Sequence, residues 1–261
     1  MPKLSDWKPP YETDPRVRVL TAEKIDDDIR EYLSLLDNED SEHEIHKFLC
    51  EHSYFFERIL NLSGYSPLYS KVKLGTEFET DFAFFDYHSF GIDWHLIEIE
   101  RPSKRLFTKK GIPSADLTQA VQQIRDWQDW IHSNGDYARK IMPNIDYPMG
   151  HLFIGRRSGI TSENRNRLRR YCHDHRMLVE IHTLDNLADQ GLDAKRHVTC
   201  DGGNWWIPMQ AYSHSDLANK RPPAAFEKLR DPNTVRTTSD FSGDRLSYLK
   251  QKVRKQAQEE E

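Results

Sequence analysis

Asp81, Glu98 and Glu100 are carboxylates set in segments that otherwise read as buried strands. Asp81 interrupts the aromatic run FETDFAFFDY, and Glu98 and Glu100 alternate with Ile97 and Ile99 in WHLIEIE. Successive side chains on a strand point to opposite faces, so the two glutamates share one side, about 6 to 7 Å apart. Burying both without a partner costs several kcal/mol or forces one to protonate, so a cation belongs beside them. Hard divalent cations such as Mg²⁺ take oxygen ligands from one or two carboxylates and keep positions for water and phosphate. Asp81, Glu98 and Glu100 converging from adjacent strands, with the Ile99 carbonyl as a further oxygen, would suit such an ion. An ion so held polarises a phosphodiester and offsets charge in its hydrolysis. Taken alone, the ExE frame is a weak motif that more often marks a solvated strand edge.

Those residues need a sheet to position them, and the pattern supplies one. Ser41 with Glu44 forms a capping-box signature, followed by Ile45, Phe48, Leu49, Phe55, Phe56, Ile59 and Leu60 at helical spacing, which predicts a helix ending at Gly64. Glu44 is explained by the cap, and His52 by a hydrogen-bonded place in the core. Strands are expected at 69–75 and 78–87, joined by a turn at Gly75 and Thr76, with HSFGID as a second turn before the strand 94–100. Pro102, Gly111 and Pro113 make the next segment a loop. Ser114 then caps a helix with an apolar stripe of Leu117, Ala120, Val121, Ile124 and Ile131, beside a second stripe of Gln119, Gln123, Trp127 and Trp130. A strand at 151–155, an Arg-rich helix opened by Thr161 and a strand at 177–184 complete the order α, β, β, β, α, β, α, β, an α/β pattern. Residues 1–40 read as a polar arm with a short acidic helix from Ala22 to Leu36. Residues 188–261 read as an extension in which GGNWWIPM packs and SGDRLSYLKQKVRKQAQEEE forms a charged helix.

The chain has 261 residues, a net charge of -5 and 30% charged residues, which excludes a protein that coats nucleic acid by bulk charge. It has no apolar run long enough to span a membrane, and its start lacks the apolar core of a signal peptide, so a cytoplasmic protein without a membrane partner is expected. Three cysteines, Cys50, Cys172 and Cys200, fit reduced thiols better than a disulfide framework. Cys172 beside His173 and His175 lacks the second ligand pair that a zinc site needs. Between Arg156 and Arg176 seven arginines stand against two acids, the local footprint of a phosphate-binding face or of a solvated helix. Arg156, Arg157, Arg165 and Arg169 are the candidate DNA contacts.

Asp on the second strand of a meander, an acidic frame on the third, and a helix with Gln123 four residues before Trp127 resemble the PD-(D/E)XK nuclease superfamily. More narrowly, EIERPSKRLFTKKGIPSADLTQAVQQIRDWQDWI, with FIGRRSG and VEIHTLDNL, resembles the Shedu antiphage-defence nucleases. The resemblance implies a restriction-endonuclease-like core at 41–187, a mixed sheet flanked by helices, with the regions before and after it as extensions. It implies a Mg²⁺-dependent deoxyribonuclease, with Mn²⁺ as a substitute, acting on phage or other foreign DNA as a homo-oligomer, expected to be a tetramer. Asp81 and Glu98 match the metal-binding positions, and Gln123 the glutamine expected to orient a glutamate or a metal-bound water. Glu100 falls where most of the superfamily has lysine. Either Glu100 acts as a general base or second ligand, with Lys104 from the following loop supplying the positive charge, or the centre has decayed and the module binds DNA or a partner without cleaving it. An interaction protein with no nucleic-acid role is the third reading.

Overall fold

The computed structural model describes residues 17–38, 40–56, 67–88, 91–175, 179–200, 205–208 and 210–219. Six strands form a mixed sheet in the order β6-β5-β4-β3-β2-β8: β2 (Tyr69–Leu74), β3 (Phe78–His88), β4 (Gly91–Ile99), β5 (Met149–Phe153), β6 (Val179–His182) and β8 (Tyr212–Ser213). The β2–β3–β4 meander is antiparallel, whereas β4–β5, β5–β6 and β2–β8 are parallel. A parallel step needs a crossover. The α3 helix (Ala115–Ser133) and α4 (Gly135–Ile141) make the one from β4 to β5, and α5 (Ser162–His175) the one from β5 to β6.

Side-chain alternation builds a core on each face of the sheet. Phe82 and Phe84 of β3 and Ile97 and Ile99 of β4 pack in one core with α1 (Ala22–Asn38), α2 (Glu42–Glu51) and α6 (Asp185–Cys200). Ala83 and Phe85, with Trp94 and Leu96, pack in the other against Leu117, Val121, Ile124 and Trp127 of α3. A sheet with helices on both faces has its central strands buried on both sides, which is why FAFF and HLI are nearly continuous apolar runs. Trp127 belongs wholly to this core, so the expected Gln and Trp stripe divides: Gln123 faces the acidic residues and Trp127 faces apolar ones.

The structure alters several sequence expectations. The helix begun at Ser41 is capped as expected, with the Ser41 hydroxyl accepting from the Glu44 amide, but it ends at Glu51. His52 leaves helical geometry while its Nδ1 pairs with the Phe48 carbonyl oxygen at 2.8 Å, and a 3-10 turn, Ser53–Phe56, follows. Ile59, Leu60 and Gly64 lie outside the described residues. Gly91 to Asp93, expected in a turn, already belong to β4. The acidic helix of the expected arm is α1, and it is not a free arm: Ile25, Ile29, Tyr32 and Leu36 are buried in the first core, so that core reaches beyond the 41–187 segment on both sides. GGNWWIPM contributes β7 (Trp205–Pro208), which pairs antiparallel with β1 (Val17–Leu20). A short helix α7 (His214–Ala218) follows β8, and the expected C-terminal charged helix lies outside the described residues. Among the described residues no helix is long and apolar enough to cross a membrane.

Candidate functional site

The β3–β4 ladder ends at the pair Phe82–Ile97, while β4 stays paired with β5 as far as Ile99–Phe153. Beyond Phe82 the two antiparallel strands part, and Asp81 stands at the first position past the split. Its Oδ2 accepts a hydrogen bond from the Ile99 amide at 2.7 Å, so the carboxylate takes over the N–H that the ladder no longer serves. Its Oδ1 accepts from Lys71 Nζ at 2.6 Å. Glu98 is 8% exposed, and its Oε1 accepts from Gln123 Nε2 at 2.7 Å. Glu100 is 6% exposed and pairs with Lys104.

Burial holds the Glu98 carboxyl well above the usual carboxylate range, with the charges of Asp81 and Glu100 adding to it and Lys71 opposing it. Glu100 is pushed up to about 7, first by burial, with Lys104 opposing the rise and the neighbouring Glu42 carboxyl reinforcing it. Glu42 is the first residue of α2, and its Oε1 lies 3.7 Å from Lys104 Nζ and 3.6 Å from Arg101 Nε. A helix carboxylate therefore does reach this centre, but it is Glu42 rather than the capping residue Glu44.

Not every expected residue comes together. Asp81 and Glu98 are electrostatic neighbours, whereas Glu100 is held by Lys104, and the three do not close into one tight cage. Among the described residues, the ligand atoms that gather within 4.8 Å of one another belong to His151, Glu180 and His182. The donor set at the split is nevertheless all oxygen, with the buried Glu98 carboxyl close enough to Asp81 and Glu100 for their charges to oppose its own. That fits a hard divalent cation with Asp81 and Glu98 as its side-chain ligands.

Lys71 is the residue that sequence reasoning passed over. In YSKVKLG it reads as one more outward strand residue, yet its φ is +50°, and the inward positions change phase across it from Tyr69 to Val72 and Leu74. A left-handed backbone at a residue other than glycine costs roughly 1 to 2 kcal/mol and collects at functional positions. Here it accompanies an amine set against Asp81.

The arginine expectations divide. Arg156 donates to Asp185 at 3.1 Å and to Asp37 at 2.6 Å, so it clamps α1 to α6, and Arg157 pairs with Asp189 of α6, so both are engaged in ion pairs with the fold's own helices. Arg165 and Arg169 are exposed one helical turn apart on α5. A second cationic stretch adjoins the acidic centre directly: the loop 101–113 carries Arg101, Lys104, Arg105, Lys109 and Lys110 and no acid. Its first residues are tied down. Ser103 donates twice to Asp40, and at Gly155, where φ is +64°, an added Cβ would lie 2.4 Å from the Lys104 carbonyl oxygen. The charge run was readable in the sequence, but its place beside the carboxylates was not.

The raised carboxyls make a pH prediction with a fixed sign. Their folded-state values lie above those of the unfolded chain, so their contribution to stability is full below the unfolded value of 4.5 and is lost as pH rises, for Glu100 through about 7. For Glu100 that range corresponds to about 3 kcal/mol. In chelator, the melting temperature should fall between about pH 5 and pH 8, and Glu98→Gln with Glu100→Gln should flatten that slope, because only ionisable groups link stability to pH. Added Mg²⁺ should raise the melting temperature more at the alkaline end, where it competes with fewer protons.

The fold and this centre define an α/β domain with a six-stranded mixed sheet and a buried acidic cluster where two central strands separate. The sequence model of the family described as Shedu protein SduA, C-terminal, matches residues 39–188, more than half of the chain and the whole acidic centre. The chain belongs to that family. Comparison with curated proteins finds no match.

Proposed function

We propose that this protein is a Mg²⁺-dependent deoxyribonuclease of a Shedu antiphage-defence system, built on a restriction-endonuclease-like PD-(D/E)XK core. The observation that carries this reading is the pairing of Asp81 with buried Glu98 at the split between β3 and β4, with Gln123 fixing the Glu98 carboxylate at 2.7 Å. Family membership over residues 39–188 supports the same reading.

In this reading Asp81, Glu98 and the Ile99 carbonyl would hold Mg²⁺, with Mn²⁺ as a substitute. The ion supplies Lewis-acid polarisation of the scissile phosphodiester and compensation of its developing charge. The protein does the rest. Gln123 keeps the Glu98 carboxylate in one orientation, which limits the rotamer freedom that would blur the geometry. Glu100, raised to about 7, is suited to take a proton from the attacking water at neutral pH. Lys104 and Glu42 set that value from opposite sides. Lys71 places a positive charge beside Asp81, where it can face a phosphate oxygen.

DNA would lie along the cationic loop 101–113 and the Arg165 and Arg169 face of α5. Lys109→Glu with Lys110→Glu should weaken DNA binding at low salt and lower the slope of log affinity against log salt by roughly 2, since each phosphate contact contributes about one released counterion. Fluorescence anisotropy over a salt series measures it, and an unchanged slope would move the DNA elsewhere. The family resemblance also supports a homo-oligomer, expected to be a tetramer and measurable by light scattering.

One observation favours a second reading, a nuclease-fold module that binds DNA without cutting it. Both Asp81 oxygens already have protein partners in Lys71 and the Ile99 amide, and Glu100 is held by Lys104. Incubation of supercoiled plasmid with the protein and Mg²⁺ or Mn²⁺ separates the two. Nicked or linear product that disappears in chelator supports the enzyme, whereas DNA retained but uncut supports the binding module.

A further inference from the structure

On the opposite edge of the sheet from β8, three histidines from consecutive strands lie side by side: His95 of β4, His151 of β5 and His182 of β6. Their rings stack, with centroids 5.1 Å apart for His95 and His151 and 6.0 Å apart for His151 and His182. Glu180 shares one side of β6 with His182, being two residues away, and is the register partner of His151 across the parallel β5–β6 ladder. Nothing in the nuclease reading uses these residues.

The distances are those of a ligand shell. Glu180 Oε2 is 3.5 Å from His151 Nδ1 and 3.6 Å from His182 Nε2, and one ligand atom from each of the three lies within 4.8 Å of the others. Tetrahedral zinc with bonds of about 2.0 to 2.1 Å separates its ligands by about 3.3 to 3.4 Å, so small rotamer changes bring the three atoms onto one ion. As direct hydrogen bonds the same contacts are too long.

The two imidazole nitrogens that face Glu180 are also the ones left without a hydrogen bond. His151 is 4% exposed and its Nδ1 is buried and unsatisfied, as is His182 Nε2. Leaving such a group unpaired costs about 1 to 3 kcal/mol. The other nitrogen of His151 is engaged: its Nε2 lies 2.9 Å from His95 Nδ1. If His151 donates in that bond, its Nδ1 carries a lone pair aimed at Glu180 and His182, the arrangement in which an outer partner fixes the tautomer of a metal ligand.

We propose that His151, Glu180 and His182 form a binding site for a zinc-class divalent ion, separate from the acidic centre. Two imidazoles with one carboxylate select borderline transition ions over Mg²⁺ or Ca²⁺, which prefer all-oxygen shells. Three protein ligands leave a fourth position, and the half-exposed Glu180 places it toward solvent. Glu180 and His182 also line a groove with Cys172 and His173 of α5. The ligating group is therefore not the Cys172, His173 and His175 cluster that sequence spacing brings to mind but two strand residues and a third from the neighbouring strand.

The test uses the full chain, stripped with chelator and titrated with Co²⁺ as a visible-absorbing substitute for Zn²⁺. The expected result is one equivalent of Co²⁺ giving the intensified visible bands of a low-coordinate, nitrogen-ligated ion, displaced by Zn²⁺ but not by excess Mg²⁺. His182→Ala and Glu180→Ala, both at partly exposed positions, should each weaken Co²⁺ binding at least tenfold with unchanged circular dichroism, and Asp81→Asn with Glu98→Gln should leave the bands intact. A spectrum no different from free Co²⁺, bands that persist in both β6 variants, or bands lost only in the acidic-centre variant would overturn the proposal.

Discussion

Glu98→Gln should reduce Mg²⁺-dependent cleavage of supercoiled plasmid by about 100- to 1,000-fold while leaving the fold intact, a loss comparable to removing one preorganised charge-stabilising group from an active site. The substitution isolates charge. A glutamine carbonyl oxygen can still accept the 2.7 Å hydrogen bond from Gln123, so the side chain keeps its anchor. At neutral pH the variant should be at least as stable as the parent, because burial, Asp81 and Glu100 all disfavour the Glu98 charge. Asp81→Asn should abolish cleavage to a similar degree with more disturbance: its oxygen can serve the Ile99 amide, but its amide then faces Lys71 Nζ, donor against donor. Loss of activity in Glu98→Gln together with a raised melting temperature would separate a functional carboxylate from a structural one. Full activity in that variant would remove Glu98 from the chemistry.

The second large effect falls on Lys71. Its left-handed backbone at φ +50° is easy for glycine and costly for lysine, so Lys71→Gly should relieve roughly 1 kcal/mol of strain while losing a half-exposed ion pair of small value. Stability should stay level or rise. Cleavage should nevertheless fall about 100-fold, because the positive charge beside Asp81 is gone. Lys71→Met removes the amine without relieving the backbone, and DNA affinity in both variants should change little, since only one cation among several is lost. Urea unfolding, plasmid cleavage and DNA anisotropy on the same three proteins give the split. Unimpaired cleavage in Lys71→Gly would show that the amine only neutralises Asp81.

What the sequence disclosed follows from which interactions are local. Strand alternation in FETDFAFFDY and WHLIEIE and the cap at Ser114 are short-range patterns, and they placed Asp81, Glu98 and Gln123 on the elements where the structure has them. The break in alternation from Tyr69 to Val72 is a one-step phase shift in a short strand, too slight to single out Lys71 or to reveal its left-handed backbone. Long-range pairing is hidden as well: Arg156 and Arg157 look like free cations until Asp37, Asp185 and Asp189 are brought to them by α1 and α6. Glu42 was masked by its neighbour, because the Ser41 cap explained the acidic first turn without any tertiary role. The His151, Glu180 and His182 cluster has no sequence spacing to recognise, since it arises from register between two strands joined by a long crossover.

If Asp81 and Glu98 act together on one hard cation, Mn²⁺ bound to crystals of the protein reports it directly through its anomalous scattering. A peak in contact with both carboxylates, absent from Glu98→Gln crystals, is the predicted result. Mn²⁺ found only away from β3 and β4, with Asp81 still paired to Lys71 and Glu98 still without a metal contact, would contradict it.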